Sequence, residues 1–562
     1  MIKAIPAFIG EVVRRQPSQH RNIRALLKFV LILTCLIAFY TTVFHFLMAW
    51  EGQEHTLFSG IYWTLTVMTT LGFGDIVFQS DLGRVFSAVV LMSGLVFMLV
   101  LLPFTFIEFF YAPWMAAQSA ARAPKKLPDS TSNHVILTHY DATSAMLVRK
   151  LAQYHYNYVI LENSLERALK LHDEGYKVIV GSTNDPQTWR NAHVEKAALV
   201  AATDLDIPNT NAVFTARQEC RKVPITAIAK LSPSMEILQM AGSNQVLRLD
   251  EMLGQHLARC TDGAPTRAHV VGEFGPLRIA EANVKGTNLI GRSLRECNLR
   301  QETGVLVVGM WERGSFKPAN PDARIETNMI LLLAGSKDQI EKFNETFVSE
   351  KISTTPVMIV GGGRVGRATA KALSDVGIEY RIIEQTAGRV TDEHCIVGDA
   401  SDHHVLRKAG ILRAKTVLIT TRDDDMNIYL TIFCRRLRPD IQIISRATLE
   451  RNVATLHRAG ADFVMSYASL GANAIFNFLT HGDILMIAEG LNVFKVRLPD
   501  ALKGKTIQES EIREKTGCLL VAIRDGDETE IVPAADRILK SNHEIILVGS
   551  AKAEDSFLES FS

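Results

Sequence analysis

Residues 59–76 read SGIYWTLTVMTTLGFGDI, an apolar and aromatic stretch that closes on Thr70-Leu71-Gly72-Phe73-Gly74-Asp75. Its neighbours decide what it can be. Upstream, residues 29–50 contain no Asp, Glu, Lys or Arg, and these 22 residues as a helix are enough to cross about 30 Å of hydrocarbon. Downstream, residues 85–107 carry no formal charge and span roughly 33 Å at 1.5 Å per residue. Both runs read as membrane spans, and the first is too long for the apolar core of a cleavable leader. Arg14, Arg15, Arg21, Arg24 and Lys28 precede the first span, and Arg122, Lys125 and Lys126 follow the second. Between the spans Glu51, Glu54, Asp75 and Asp81 face the single Arg84. Positive charge accumulates on the inner side, so a multi-pass protein of the cell (inner) membrane with both termini cytoplasmic is expected.

The hexapeptide 70–75 resembles the potassium-channel pore loop, whose signature reads T-V-G-Y-G-D. The resemblance implies a selectivity filter in which the carbonyls of Thr70, Leu71, Gly72 and Phe73, with the Thr70 hydroxyl, replace the water shell of K⁺. A row of carbonyls can aim at one axis only if alternate residues take conformations suited to glycine, and Gly72 and Gly74 fall on that alternation. Leu71 stands in place of valine and Phe73 in place of tyrosine, so Phe73 has no hydroxyl to tie the filter to its surroundings, and Tyr62 and Trp63 are expected to pack around it. The position that carries a glutamate behind the filter in some relatives is Thr66. One hairpin cannot enclose an ion path, so a homotetramer in a lipid bilayer is implied. Gly94 falls where the family places a gating hinge, with close helix packing as the alternative. Pro103 suits a kink, Phe97 and Leu101 a constriction, and Glu108 either a ring of carboxylates at the inner mouth or a snorkelling headgroup contact.

The remaining chain repeats itself. Residues 135–141 (VILTHYD) match 357–363 (VMIVGGG), and Glu162 matches Glu384 at the same offset of 222, which makes a duplicated unit of about 215 residues. Each copy alternates short β-branched runs with helical stretches, the pattern of a doubly wound parallel sheet, and ends in a small α+β lobe. In the second copy, strands are expected at 356–360, 380–383, 416–420 and 442–445 and a helix near 472–479. The organisation read from the sequence is an N-terminal cytoplasmic segment (1–28), an α-helical two-span pore domain (29–110), a linker (111–132) and two tandem Rossmann-like domains (133–350 and 351–562). The length of 562 residues suits three to four domains. A net charge of +1 argues against a nucleic-acid partner, and seven scattered cysteines fit neither a zinc pattern nor a disulfide framework.

Gly361-Gly362-Gly363-Arg364-Val365-Gly366 is a G-x-G-x-x-G between an apolar strand and a good helix former. Gly361 permits the tight turn, Gly363 lets backbone approach a pyrophosphate, Gly366 lets helix meet strand, and the helix start adds partial positive charge. Glu384, 18 residues past Gly366, is placed to accept from ribose hydroxyls. In the first copy the three glycines become His139, Asp141 and Ser144, so that copy is expected to be structural or to take another ligand; His139, Asp141, Glu162, Asp204 and Asp206 are either oxygen ligands for a divalent ion or a solvated rim.

A Rossmann half followed by a small lobe is similar to the RCK domain, the regulator of potassium conductance. That resemblance extends the nucleotide site to Asp399 and Ala400 in Gly398-Asp-Ala-Ser, and to Thr420 and Arg446; Arg364 and Arg446 are phosphate candidates or surface ion-pair partners. It implies NAD or ADP as regulatory ligand and K⁺ as the permeant ion, with Ca²⁺ as a further ligand whose site the sequence leaves unknown. Residues 423–427 (DDDMN) suit either Ca²⁺ or a helix start. The expected function is a potassium-selective channel gated from a cytoplasmic ring, not an enzyme. The alternatives are a membrane-anchored NAD-dependent oxidoreductase, for which no proton-transfer arrangement is evident, and a regulatory subunit of a potassium transporter.

Overall fold

The computed structural model describes residues 17–112, 114–115, 124–261, 267–284, 287–312, 315–326, 329–347, 355–389, 393–480, 484–488, 491–526 and 528–561. The chain divides into two compact units, residues 1–123 and 124–562.

In the first unit, a helix Pro17–Trp50 is followed by a short helix Leu57–Met68 and an inner helix that begins at Asp81. Two helical stretches, Leu27–Trp50 and Asp81–Phe106, are long and apolar enough to span a membrane. The connections are fixed by caps: Thr56 accepts from Ser59 N, Ser80 accepts from Gly83 N, and the Glu51 carboxylate takes the amides of Gln79 and Ser80 at 2.8 and 3.0 Å. Phe44, Met48, Trp63, Phe78 and Val90 form the core, with Phe44 and Trp63 rings 4.9 Å apart. The inner helix is regular to Gly94 and then alternates, with π turns over Leu95–Leu101 and Ile107–Tyr111 around a short α segment Leu102–Phe106. Pro103 has no N–H to give to the preceding turn, and the wider turn is seen directly where Leu102 N reaches back five residues to Phe97 O. The expected kink is expressed as a change of helical pitch.

The described residues of the second unit form four sheets. Strands β1 (His134–Leu137), β2 (Asn157–Glu162), β3 (Val178–Val180), β4 (Leu199–Ala202), β5 (Ile225–Ile228) and β6 (Gln245–Leu247) form a parallel sheet in the order β3-β2-β1-β4-β5-β6. Strands β7 (His269–Phe274), β8 (Leu277–Asn283), β9 (Leu306–Glu312), β10 (Ser315–Pro318) and β11 (Met329–Gly335) make an antiparallel lobe, β10-β9-β11-β8-β7. The second copy repeats both. Strands β12 (Val357–Val360), β13 (Tyr380–Glu384), β14 (Cys395–Val397), β15 (Thr416–Ile419), β16 (Gln442–Ala447) and β17 (Phe463–Ser466) follow the order β14-β13-β12-β15-β16-β17. Its lobe comprises β18 (Ile484–Ala488), β19 (Leu491–Arg497), β20 (Leu519–Asp525), β21 (Glu528–Ile531) and β22 (His543–Ser550), ordered β18-β19-β22-β20-β21. The four strands expected in the second copy are present, and β14 and β17, of three and four residues at the two edges of the sheet, are additions. The helix expected near 472 begins at Tyr467.

The copies share their cores. Val135, Leu253, Val357 and Phe476 belong to one cluster, and Phe274 and Leu277 of one lobe pack with Val493 and Ala522 of the other. An approximate two-fold exchange makes this possible: the closing helix of the first copy, Leu249–Arg259, lies on the helix Arg364–Asp375, while its counterpart Tyr467–Leu479 lies on Ala142–Gln153. Both crossings are close enough to need glycine. A Cβ on Gly254 would lie 2.6 Å from Ala368 Cβ, and one on Gly471 would lie 2.6 Å from Thr143 Cγ2.

Candidate functional site

Two sites are built by separate means. In the first unit, the segment after Met68 turns on backbone conformation: Thr70, Gly72 and Gly74 have φ of 62°, 47° and 75°. The alternation expected of Gly72 and Gly74 thus begins one step earlier, at Thr70, where an L-residue bears a strain of about 1 kcal/mol. The amides of Leu71 and Gly72 both donate to Thr66 O, at 2.9 and 3.2 Å. Among the described residues none of the carbonyls 70–73 accepts a backbone hydrogen bond, so four oxygens in succession are left for another partner. Thr66 therefore holds the loop through its carbonyl, while its hydroxyl donates to Trp63 O. Tyr62 stacks on Phe73 with centroids 6.5 Å apart and rings within 2° of parallel. Trp63, expected beside it, turns inward to Phe44, Phe78 and Phe86, because a fully buried indole gains more apolar contact there. Gly94 has ordinary helical dihedrals, and a Cβ there would meet Met68 Cα and O at 2.4 Å, so this glycine marks close packing of the inner helix on the end of Leu57–Met68.

In the second unit, a cleft of about 540 Å³ opens at the carboxyl ends of β12, β13, β15 and β16. Gly361, Gly363, Arg364, Glu384, Asp399, Ala400, Thr420 and Arg446 all line it. Val365 is buried behind the wall, and Gly366 packs against the turn: a Cβ there would lie 1.9 Å from Gly361 O. Gly361 has φ 104°, and a Cβ on Gly363 would meet nothing within 4 Å, leaving open the volume a phosphate needs. Glu384 is 4% exposed and accepts from Gly362 N (2.8 Å), Thr386 N (2.9 Å) and Arg389 Nη1 (3.1 Å). The Thr420 hydroxyl is spent within the turn, donating to Gly361 O at 2.9 Å. Asp399 accepts from Ser401 N, and this amide, with the Ser401 hydroxyl, holds its carboxyl below the usual range. Arg364, Arg367, Arg389, Arg422 and Arg446 face three carboxylates, Glu384, Asp399 and Asp423, so the cleft favours anions. Arg446 is 5% exposed, its Nε has no hydrogen-bond partner, and its guanidinium lies 4.9 Å over the Tyr467 ring. Arg389 and Arg422 were not foreseen; an arginine five residues beyond the strand-end acid was the available signal. These residues fit an adenine nucleotide: an open glycine position for the diphosphate, arginines around it and an acid at a strand end for a ribose.

The first copy fills the same place with protein. Asp141, aligned with Gly363, accepts from Ser144 N at 2.8 Å and so sets a carboxylate at the helix start where the second copy has space. His139 lies 3.8 Å from Asp204, and Glu162 is held by Ser164 N and Arg167. Asp206 takes the amides of Lys230 and Leu231, leaving it a structural clamp. In the acidic stretch, Asp423 accepts from Asp425 N and Met426 N as a helix cap, and Asp424 repeats the Asp206 clamp on Thr448 N and Leu449 N. A second cavity of about 140 Å³, unforeseen from the sequence, lies between the copies and is lined by His256, Cys260, Glu281, Trp311, His457 and Asn473 among apolar groups. Burial pushes the Glu281 carboxyl up to about 7, against the pull of Arg259, and holds the His256 imidazole down to about 4.

Comparison with known proteins accounts for both sites. The chain matches an ion channel family over residues 31–111, the TrkA-N domain over 135–249 and 357–467, and the TrkA-C domain over 279–348 and 493–562. It is 27% identical to potassium channel protein 1 of Methanocaldococcus jannaschii over 228 residues, 38% of this chain and 66% of that one. It is 30% identical to a Trk system potassium uptake protein TrkA homologue of Pyrococcus abyssi over 35% of this chain and 93% of that one. Among solved structures it resembles the GsuK channel bound to NAD, at 37% identity, a TM-score of 0.59, and coverage of 96% of this chain and 99% of that one. With the pore unit and both duplicated units matched in order, the chain belongs to the family of two-span potassium channels that carry tandem TrkA-N and TrkA-C, or RCK, domains.

Proposed function

We propose that this protein is a homotetrameric, K⁺-selective channel whose pore responds to an adenine nucleotide, NAD or ADP, bound in the second-copy cleft. The observation that carries this reading is the run of left-handed backbone at 70, 72 and 74 with the intervening carbonyls unpaired, a geometry that four chains around one axis would turn into stacked ion sites. Permeant K⁺ exchanges water for the oxygens of Thr70 through Phe73. Ring association is supported by exposed apolar residues on equivalent helices of the two copies, Ile207 (77% exposed) and Phe214 on Asp206–Glu219 and Tyr429 and Ile432 on Asp424–Leu437, with Met240 (85%) on the next helix of the first. Arg364 and Arg446 take the phosphates and Glu384 a ribose, with Arg389 released or shared. The flanking charges support a cytoplasmic position for both termini.

If each of four nucleotides favours one ring state tenfold, the summed bias is about 5.5 kcal/mol, enough to carry a gate from 1:99 to 99:1. The test is ⁸⁶Rb⁺ flux into liposomes holding the purified channel, with K⁺ against Na⁺ competition and with NAD, ADP and Ca²⁺ varied separately. Flux blocked equally by Na⁺, or indifferent to both nucleotides, overturns the corresponding half of the reading.

A further inference from the structure

We propose that Asp250 of the first copy is a built-in competitor for the nucleotide's phosphates, so that ligand binding in the second copy breaks an ion pair between the copies. This rests on the reading of the cleft as a nucleotide site and adds how occupancy is sensed. Arg364 is the first residue of the helix that follows the glycine turn and lines the cleft, yet its Nε donates to Asp250 Oδ2 at 2.5 Å. Asp250 is 5% exposed, at the start of the closing helix Leu249–Arg259. Its charge also acts on Arg446, whose buried Nε has no partner. One buried carboxylate thus holds Arg364 in an ion pair and acts through space on Arg446, the two arginines that a diphosphate would otherwise engage.

The mirror contact shows that the pair is not needed for packing. Across the approximate two-fold, Arg364 corresponds to Ala142 and Asp250 to Ala468, and those helices cross equally closely without charge. The ion pair occurs only at the crossing whose glycine turn is open. A phosphate drawn to Gly363 and the helix start takes Arg364, and the tie that the pair makes between the two helix starts is lost, leaving the interface free to move. Gly254 lies against Ala368 with no room for even a Cβ, so displacement of one helix start is passed to the other.

The experiment uses the full-length channel, titrated with NAD and with ADP by calorimetry and recorded in bilayers without ligand. Asp250→Asn removes the competitor and is expected to tighten nucleotide binding about tenfold. Arg364→Ala is expected to weaken it. Both variants nevertheless shift the ligand-free open probability in the direction in which nucleotide moves the wild type, because both release the pair. Unchanged or weaker binding by Asp250→Asn, or opposite shifts of ligand-free gating in the two variants, overturns the proposal. Should Asp250→Asn fail to fold, the ligand-free shift of Arg364→Ala decides alone. A wild-type channel that binds neither nucleotide fails the cleft reading itself, whereas wild-type binding without tightening in Asp250→Asn fails only the competitor.

Discussion

At Gly363 the backbone has ordinary extended dihedrals and a Cβ would meet nothing, so this glycine is demanded neither by conformation nor by packing, only by what must approach it. Gly363→Asp should reproduce the first copy's Asp141 cap on the amide of residue 366, leaving thermal stability unchanged or raised by about 1 kcal/mol while abolishing nucleotide binding by calorimetry and leaving K⁺ selectivity intact. Gly366 differs, since any side chain there collides with Gly361 O; Gly366→Ala should destabilise the cytoplasmic unit by more than about 2 kcal/mol in chemical denaturation. Glu281 gives a pH signature. Its folded pKa is about 7 against 4.5 unfolded, so the stability it contributes is full below about 4.5 and is lost as pH rises through 7. His256, at about 4 against 6.5, works oppositely: its contribution is present above 6.5 and lost as pH falls through 4. Glu281→Gln should therefore raise the unfolding temperature relative to wild type at pH 8 and not at pH 4.5, the difference amounting to about 3 kcal/mol.

At the scale of elements, the strands of the second copy and the glycine turn were legible because each is a local pattern: a β-branched run, a turn residue, a helix former. The alternation at Gly72 and Gly74 was equally local. What the sequence withheld depends on distant partners. Asp250 and Arg364 are 114 residues apart, and no periodicity links them. The π turns after Gly94 arise where an uninterrupted apolar helix meets a proline, and hydropathy has no term for pitch. Trp63 chose the interior over Phe73 because Phe44, Phe78 and Phe86 converge there, which only the packed unit reveals. Gly94 has a packing partner in Met68 that sequence could not supply, and Gly94→Ala should push the inner helix from the helix Leu57–Met68; reduced single-channel conductance or loss of assembled channel in detergent is the expected result, and unaltered conductance would contradict it.

At the scale of the molecule, duplication has produced two sheets of one topology with unlike turns. If the proposed tetramer rests on the exposed apolar helix faces, Phe214→Glu should shift the purified protein to smaller species than wild type in light scattering without unfolding the chain. The first copy's Asp141 has a further consequence for how such an assembly counts. A carboxylate covalently fixed at the helix start can neither leave nor be diluted, so the turn of the first copy is shut to a phosphate. Four such chains around one axis would carry eight turns of which four admit a phosphate, and the Hill coefficient for nucleotide would thereby be capped at four.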